Sequence, residues 1–509
     1  MPCLQLTGDC QDRLRSFTKV AISATLLPLG VCGLAGPQPV VGQPHITAVC
    51  EAISHAVSSA SSVYWPGKIG EPYLEDIYHY AASSIDQAAC SIEPGTAEDV
   101  GVILRIVGTN KTPFAVKGGG HAMNPHYSST TGVQISMARF NEVNYDANAN
   151  TAQVGAGLIW DDVYAALEPH AAGAVGGRVS GIGVAGFSLG GGYSWKTNQY
   201  GLAIDNLSGL EIVLANGTIL DVSQNMHPDL FWGLKGGFNN FGVVTGFNLT
   251  THPQRDVWGG VLTITADQLD AFNAANVQFS QTVTDPKAQV IPSYAHAQGQ
   301  LVMSLQLFYD SSTPPSGIFD AYWAIPSVQK DIKTRSLLDL VRSAPSNSTQ
   351  GFRGIFHTVS VLNYTENVIN AIVNETQFWG ERLAGFEGAS VAYSTEPFLP
   401  TIFSHASEDS SAYPPDRTIG LSPLSISYAW NDSSADEAMH SAARQSAAQL
   451  TRVLISEGQE VEHAALYGNY AIFGTPLDKI YGKHLPRLKA LKAQYDPNNV
   501  MNLAGGWKF

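Results

Sequence analysis

The residues that could do chemistry cluster in two glycine-rich places. Between Gly173 and Gly192, nine of twenty residues are glycine. So much lost backbone entropy is tolerated only where backbone must approach another group closely or adopt positive φ. The stretch imitates three motifs. Gly181-Ile182-Gly183-Val184-Ala185-Gly186 fits the dinucleotide fingerprint, with Asp205 about twenty residues further on. That fingerprint must follow a buried strand and open a helix, and neither Ala174-Val175-Gly176-Gly177-Arg178 before it nor Gly190-Gly191-Gly192 after it reads that way. Gly186-Phe187-Ser188-Leu189-Gly190 fits the nucleophile elbow of a serine hydrolase, with Gly118-Gly119-Gly120-His121 as a reversed oxyanion loop. The strand and helix that hold an elbow are again not legible. A third imitation ends in Lys196-Thr197, but Trp195 stands where a phosphate-binding loop needs glycine. The zinc patterns Cys-X-X-Cys and His-Glu-X-X-His are missing, so no metal site is expected.

A better reading joins the two clusters. An apolar strand, Pro113 to Val116, runs into Lys117-Gly118-Gly119-Gly120-His121, whose successive amides can form an anion-binding nest. Facing amides from Gly173–Gly192 would complete two glycine-lined walls around a long, diphosphate-containing ligand. His121 is then either a turn histidine bonded to its own loop or a side chain presented to that ligand.

The elements that must position these segments fall into three textures. From Ile85 to Pro253, short β-type runs alternate with Gly-rich turns: Pro113 to Val116, Gly132 to Ser136, and Glu211 to Leu214 before the Asn216-Gly217 turn. A helix is predicted from Asp161 to Glu168, with Trp160, Val163, Tyr164 and Leu167 on one side. From Trp258 to Ser456 the elements lengthen. Gln300 to Leu307 reads as a strand, Leu337 to Val341 as helical, and Ser434-Ala435-Asp436-Glu437 as a capping box opening a helix that Gly458 closes. The last zone, Tyr467 to Phe509, carries an amphipathic helix with Leu485, Leu488 and Leu491, stopped by Asp496-Pro497-Asn498. It is too short for a core of its own and must dock, most simply on the first zone.

With 509 residues, two or three domains are expected. Hydrophobic residues at 44% and charged residues at 14% describe a well-buried globular protein. A net charge of −15 argues against a phosphate-tracking nucleic-acid binder and against an anionic membrane surface. Arg13, Arg15 and Lys19 precede an apolar run from Val20 to Ala35, broken by Pro28 and Gly30. Residues 1–35 therefore read as a secretory signal or a short membrane anchor. Cys3, Cys10 and Cys32 would leave with a cleaved signal, so Cys50 and Cys90 remain. They form either a disulfide, worth about 4 kcal/mol on the chain-entropy account, or two separate buried thiols. Asn110, Asn206, Asn216, Asn248, Asn347, Asn363, Asn374 and Asn431 each begin an Asn-X-Ser/Thr triplet, which agrees with export.

Four stretches together resemble the FAD-linked oxidases of the vanillyl-alcohol-oxidase and p-cresol-methylhydroxylase superfamily, in the berberine-bridge-enzyme-like branch common in fungi. They are Val116 to His121, the Gly181 to Gly192 run, Leu230-Phe231-Trp232-Gly233-Leu234-Lys235-Gly236-Gly237 continuing through Asn240 to Thr245, and the carboxyl-terminal zone. That zone reads Tyr467-Gly468-Asn469-Tyr470, then Tyr481-Gly482, then Tyr495-Asp496-Pro497-Asn498. The resemblance implies an α+β fold: a two-lobed FAD-binding domain over 83–254 and a substrate domain over 255–460 whose antiparallel sheet roofs the flavin. A carboxyl-terminal segment, 461–509, would return to the FAD domain. FAD is the implied cofactor, covalently attached through His121. Its implied binding residues are Lys117, Gly118, Gly119, Gly120, His121, Ala122, Gly181, Gly183 and Gly186, with Val243 at the adenosine end and Tyr467, Asn469 and Tyr470 near the isoalloxazine. Bicovalent members add a cysteine where Val179 stands here, so a single attachment is expected.

The implied chemistry is hydride transfer from substrate to flavin N5, with dioxygen as acceptor and hydrogen peroxide as product. The substrate would be an alcohol, a sugar or a secondary metabolite. Tyr467 and Tyr393 are the catalytic candidates, with His357 and Glu396 as further choices for the base. Small-molecule substrate and dioxygen are the expected partners, with no nucleic acid, stable membrane partner or protein partner, and the enzyme is expected to be secreted. The rivals are a dehydrogenase or an oxidative cyclase of the same fold, a serine hydrolase using Ser188, and a secreted glycoprotein that binds without turnover.

Overall fold

The computed structural model describes residues 44–509 apart from Ile69 and Pro345. The proposed signal, with Cys3, Cys10 and Cys32, lies outside the described residues.

Local sequence fixes the first lobe. Thr96 caps helix Ala97–Asn110 by accepting from the Asp99 amide at 3.2 Å, and Val100, Ile103, Leu104 and Val107 recur at helical spacing and are buried. This helix is the crossover between strands Cys90–Glu93 and Phe114–Lys117, both of which pair in parallel with Val133–Ser136. Ser62–Tyr64 completes that four-stranded sheet. Cys50, on helix Pro44–Ala56, is bonded to Cys90 with Cα atoms 6.2 Å apart, so the two cysteines are a disulfide and not separate thiols. The second lobe is an antiparallel sheet in the order Val143–Asp146, Thr151–Gly155, Gly242–Thr250, Leu207–Leu214, Ile219–Ser223.

A seven-stranded antiparallel sheet follows, in the order Gln329–Arg335, Val257–Thr265, Gln300–Tyr309, Ala288–Ala297, Ser390–Ser394, Ser422–Trp430, Arg353–Val361. Strand alternation gives it two unlike faces. Leu305, Leu307, Ile355, Val359, Leu424 and Ile426 share a core with residues of helices Leu269–Thr282, Glu366–Leu383 and Asp436–Ser456. The opposite face carries Gln289, Ile291, Phe308, Phe356, Thr358 and Ser360, and it meets the residues that follow the glycine-rich segment and the carboxyl-terminal zone. Trp195 stacks on Phe308 at 5.5 Å, Asn198 bonds Gln289, and Ser360 donates to the Ala465 carbonyl at 2.6 Å.

Leu488, Leu491 and Trp507 of the carboxyl-terminal zone belong to the core of the first two sheets, and Ala504 bridges Phe114 in parallel. One predicted detail fails. The Ser434-Ala435-Asp436-Glu437 box does not form, because Asp432 caps a preceding 3₁₀ turn by accepting from the Ser434 amide at 2.9 Å. That turn then runs directly into the long helix.

Candidate functional site: a glycine cradle meeting a buried tyrosine cluster

The glycines divide by what lies against them. Gly176 and Gly177 pack on the Trp160 indole, where an added Cβ would come within 2.2 and 2.9 Å of ring atoms. Gly119 and Gly183 pack on each other, a Cβ on Gly119 falling 2.5 Å from the Gly183 Cα. The two glycine clusters therefore do touch, and at a spacing that excludes any side chain. Gly181 and Gly186 differ: nothing lies within 4 Å of a Cβ on either. Open space above touching backbones is a cradle.

Its walls carry free donors. Among the described residues, the amides of Gly119, Gly120, His121 and Ala122 donate to no protein acceptor, nor do those of Ile182 and Gly183. Gly120 (φ +71°) and Gly181 (φ +88°) take the left-handed conformation that lets successive amides converge. Lys117 is less available, since its ammonium bonds the Glu75 carbonyl at 2.8 Å. Val243 lies inside the five-stranded sheet, paired with Val213 and 2% exposed, so its side chain is core.

His121 stacks on Tyr80 with ring centroids 4.2 Å apart, and its Nε2 is buried without a partner. Burial pushes its pKa down to about 4, so the ring is neutral at ordinary pH with a free nitrogen lone pair. Three residues on, Asn124 donates to the Ala471 carbonyl and accepts from the Phe473 amide, both at 2.9 Å. That pair of bonds ties the histidine loop to the segment after Tyr470.

Tyr467, Asn469 and Tyr470 gather beside this loop. The Tyr467 phenol accepts from the Gly192 amide (3.2 Å) and from Asn469 Nδ2 (2.9 Å). Its ring meets those of Tyr193 and Tyr470 edge-on at 4.8 and 4.9 Å. Burial raises its pKa to about 12, although the Asn469 bond and the Arg178 charge pull the other way. The Tyr470 phenol donates to Glu396 Oε1 (3.0 Å) and accepts from Arg178 Nη2 (2.9 Å), and the same Nη2 lies 2.6 Å from Glu396 Oε2. Burial pushes the Glu396 carboxyl up against the opposing pull of Arg178. Arg178 Nη1 is buried and unpartnered.

Sequence reasoning passed over Arg178. The available signal was that it is the sole charged residue between Gly173 and Trp195. Tyr193 and Tyr413, whose phenol oxygens lie 3.4 Å apart beside Tyr467, gave none.

Tyr393 does not join this group. Alternation puts it with Val391 on the helix-facing side of the sheet, where its phenol bonds the hydroxyls of Tyr428 (2.6 Å) and Ser446 (2.7 Å). His357 points to the same side as Ile355 and Val359, its Nδ1 3.5 Å from the Ile472 amide. Ser188 is wholly buried within helix Val184–Leu189, its hydroxyl unpartnered, so it is neither on an elbow nor next to a base. That helix opens at the imitation fingerprint, which the sequence reading did not foresee. No strand leads into it, the preceding one being Ala172–Gly173, so the dinucleotide context is still missing. Among the described residues no group of three or more His, Cys, Asp or Glu side chains is arranged to hold a metal ion, and no helix is long and apolar enough to cross a membrane.

The cradle, the free amides and the lone His121 nitrogen fit FAD, and comparison with known proteins points to the same cofactor. Residues 88–223 match the FAD binding domain family and residues 467–506 match the berberine and berberine-like family. An uncharacterised FAD-linked oxidoreductase of Arthroderma benhamiae is 30% identical over 365 residues, 70% of this chain and 72% of the relative. The FAD-dependent monooxygenase drtC of Aspergillus calidoustus is 28% identical over 97% of both chains. Among solved structures, glucooligosaccharide oxidase from Acremonium strictum, described with a 6-S-cysteinyl, 8α-N1-histidyl FAD, superposes with a TM-score of 0.73 at 18% identity, covering 90% of this chain and 97% of that one. For 6-hydroxy-D-nicotine oxidase from Arthrobacter nicotinovorans the TM-score is 0.71 at 20% identity, covering 87% and 96%. The chain belongs to the FAD-linked oxidoreductases of the vanillyl-alcohol-oxidase superfamily, in the berberine-bridge-like branch. It is an FAD-dependent enzyme with that family's α+β fold, which removes the hydrolase and the non-catalytic glycoprotein from consideration.

Proposed function

We propose that this protein is a secreted oxidase that removes a hydride from a C–H bond of an alcohol, sugar or secondary metabolite, with dioxygen as acceptor and hydrogen peroxide as product. The supporting observation is Tyr467: a phenol with two N–H donors aimed at its oxygen and a buried cation nearby, at the meeting point of the cradle, the carboxyl-terminal zone and the sheet. When bound, FAD supplies a hydride acceptor at N5 and passes the electrons to dioxygen. Tyr467 Oη takes the proton of the substrate hydroxyl as the C–H bond is lost. The Gly192 amide and the Asn469 side chain then stabilise the form of Tyr467 that accepts this proton. Glu396 and Tyr470 hold Arg178 in position, and the packed rings of Tyr193 and Tyr413 keep water out. Because burial keeps the phenol protonated at neutral pH, the rate of reduction should climb with pH toward about 12.

Gly118, Gly119, Gly120, Ala122, Gly181, Gly183 and Gly186 would hold the diphosphate, and His121 would be the single covalent link. Val179 has no nucleophile to supply a second. The test is acid precipitation followed by peptide mass mapping. Yellow colour should stay in the wild-type pellet and pass to the supernatant for His121→Ala. Complete release of flavin from wild-type protein would show the link to be absent.

Relatives named FAD-dependent monooxygenases rather than oxidases keep a second reading alongside, an oxidative cyclase or dehydrogenase of the same fold. One peroxide per substrate consumed identifies the oxidase and none identifies the dehydrogenase. Ring closure is read from the product.

A further inference from the structure

The structure sorts the eight Asn-X-Ser/Thr triplets into two kinds. Seven of the asparagines are exposed, and Asn206 is not. Asn206 is 6% exposed, and its Nδ2 donates to the carbonyls of Tyr200 and Leu202, both at 2.9 Å. Its Oδ1 lies 2.8 Å from His252 Nε2, and His252 stacks on Tyr200 at 3.7 Å. Substitution on that nitrogen would remove one of two buried bonds and force a sugar into packed rings.

Two of the exposed asparagines sit on shallow, open recesses of the surface. Asn248 and Thr250 are two apart on strand Gly242–Thr250 and so share a face. Asn248 opens onto a recess of about 370 Å³ lined by Tyr145, Asp146, Thr151, Gln153 and Ser208. Asn363 lines a second, of about 390 Å³, with Thr365, Glu457 and Gln459. Among the described residues neither asparagine side chain makes a hydrogen bond, so a sugar on either amide nitrogen displaces no bond of the fold. The first recess joins hydrogen-bonding groups to a half-buried aromatic ring, the combination a sugar's hydroxyls and C–H face call for.

We propose that Asn248 and Asn363 carry N-linked glycans whose first sugars lie in these recesses, and that folded protein carries none at Asn206. This rests on the secretory reading. The donor would be a polyprenyl-diphosphate-linked oligosaccharide. A bond forms between Asn Nδ2 and C1 of the first N-acetylglucosamine, the C1–O bond to the diphosphate breaks, the amide loses one proton and the polyprenyl diphosphate leaves, with no change in oxidation state.

The test is to secrete the full chain from a eukaryotic host and treat it with peptide-N-glycosidase F in ¹⁸O-water, which marks each glycosylated asparagine as labelled aspartate. Label is expected at 248 and 363 and not at 206. Secreted, leader-free protein unlabelled at 248 or 363, or labelled at 206, overturns the proposal while leaving the secretory reading intact. Protein retained in cells with residues 1–35 uncleaved overturns the secretory reading, and the proposal with it. The recess is tested with endoglycosidase H on protein from a host that makes only oligomannose chains. The Asn248 glycan should resist release from native protein, yield after unfolding, and become labile in Tyr145→Ala. Equal release from native and unfolded protein overturns the placement.

Discussion

The cradle and the seven-stranded sheet work through different parts of the chain. Around Gly119, Gly183 and Gly186 the working surface is backbone: touching main chains, unpaired amides and empty space where Cβ atoms would be. On the sheet it is side chains, sorted by alternation into a helix-packed core and a face that meets the tyrosine cluster. Backbone surfaces constrain residue type tightly, because almost anything but glycine collides or fills the space. A sheet face constrains only size and polarity.

Tyr467→Phe gives the sharpest test of this division, and the largest effect. Removing one proton acceptor should slow anaerobic flavin reduction by about 10²–10⁴-fold while the flavin content stays at the wild-type level. Normal reduction in stopped-flow absorbance would take the chemistry away from the tyrosine cluster altogether.

The next effect lies in the sheet and is read as stability. Burial, aided by the Arg444 charge, lowers the His357 pKa from 6.5 to about 4. A histidine held neutral in the fold stabilises it fully above the unfolded pKa. That contribution is lost as pH falls from 6.5 through 4, where the unfolded chain takes the proton first. The loss amounts to about 3 kcal/mol for this residue. Denaturant titrations at pH 7 and pH 4 should show His357→Gln with a shallower pH dependence than wild type over this interval. An identical slope would mean that His357 is solvated.

The glycines give a smaller effect with opposite signs at two positions. Gly119→Ala drives a Cβ into the Gly183 backbone, and overpacking of that kind costs about 1–3 kcal/mol. Gly186→Ala meets nothing and lies within helix Val184–Leu189, where alanine is favoured over glycine by about 1 kcal/mol. It should therefore raise the melting temperature of flavin-free protein while lowering the flavin-to-protein ratio. A Gly186→Ala protein with full flavin content would show that the open space is not where the cofactor lies.

The same division explains what could be read from sequence. The two glycine walls and their contact were legible because only glycine satisfies them, and the disulfide because two cysteines remained outside the proposed leader. Tyr467, Asn469 and Tyr470 were found by resemblance, and the structure brings them together. Arg178 was not found, since its partners Glu396 and Tyr470 lie 218 and 292 positions away, a pairing no local pattern encodes. The failed capping box has a local cause: Asp432, two residues upstream of Ser434, competes for its amide and wins. Ser188 and the dinucleotide pattern show the converse, that a glycine-rich segment imitates several motifs while satisfying the context of none.

Tyr393 is where the comparison can be broken with the smallest effect. Its place in the roofing domain makes it a candidate, and strand parity decides which face it serves. Residues 391 and 393 face the helices, and residues 392 and 394 the other side, where Ser394 Oγ lies 2.7 Å from Ser293 Oγ. The Tyr393 phenol bridges Tyr428 on the neighbouring strand and Ser446 on helix Asp436–Ser456, so it ties that helix to the sheet. Tyr393→Phe removes only this oxygen and keeps the ring. It should cost about 1 kcal/mol of stability, the net worth of a buried hydrogen-bonded hydroxyl. Flavin reduction should stay within about twofold of wild type, because a group acting only through the far face of a packed sheet moves the barrier by less than 0.5 kcal/mol or so. The opposite pattern, unchanged melting with slowed reduction, would mean that the helix-facing side of the sheet reaches the reacting atoms and that its two faces do not divide the work.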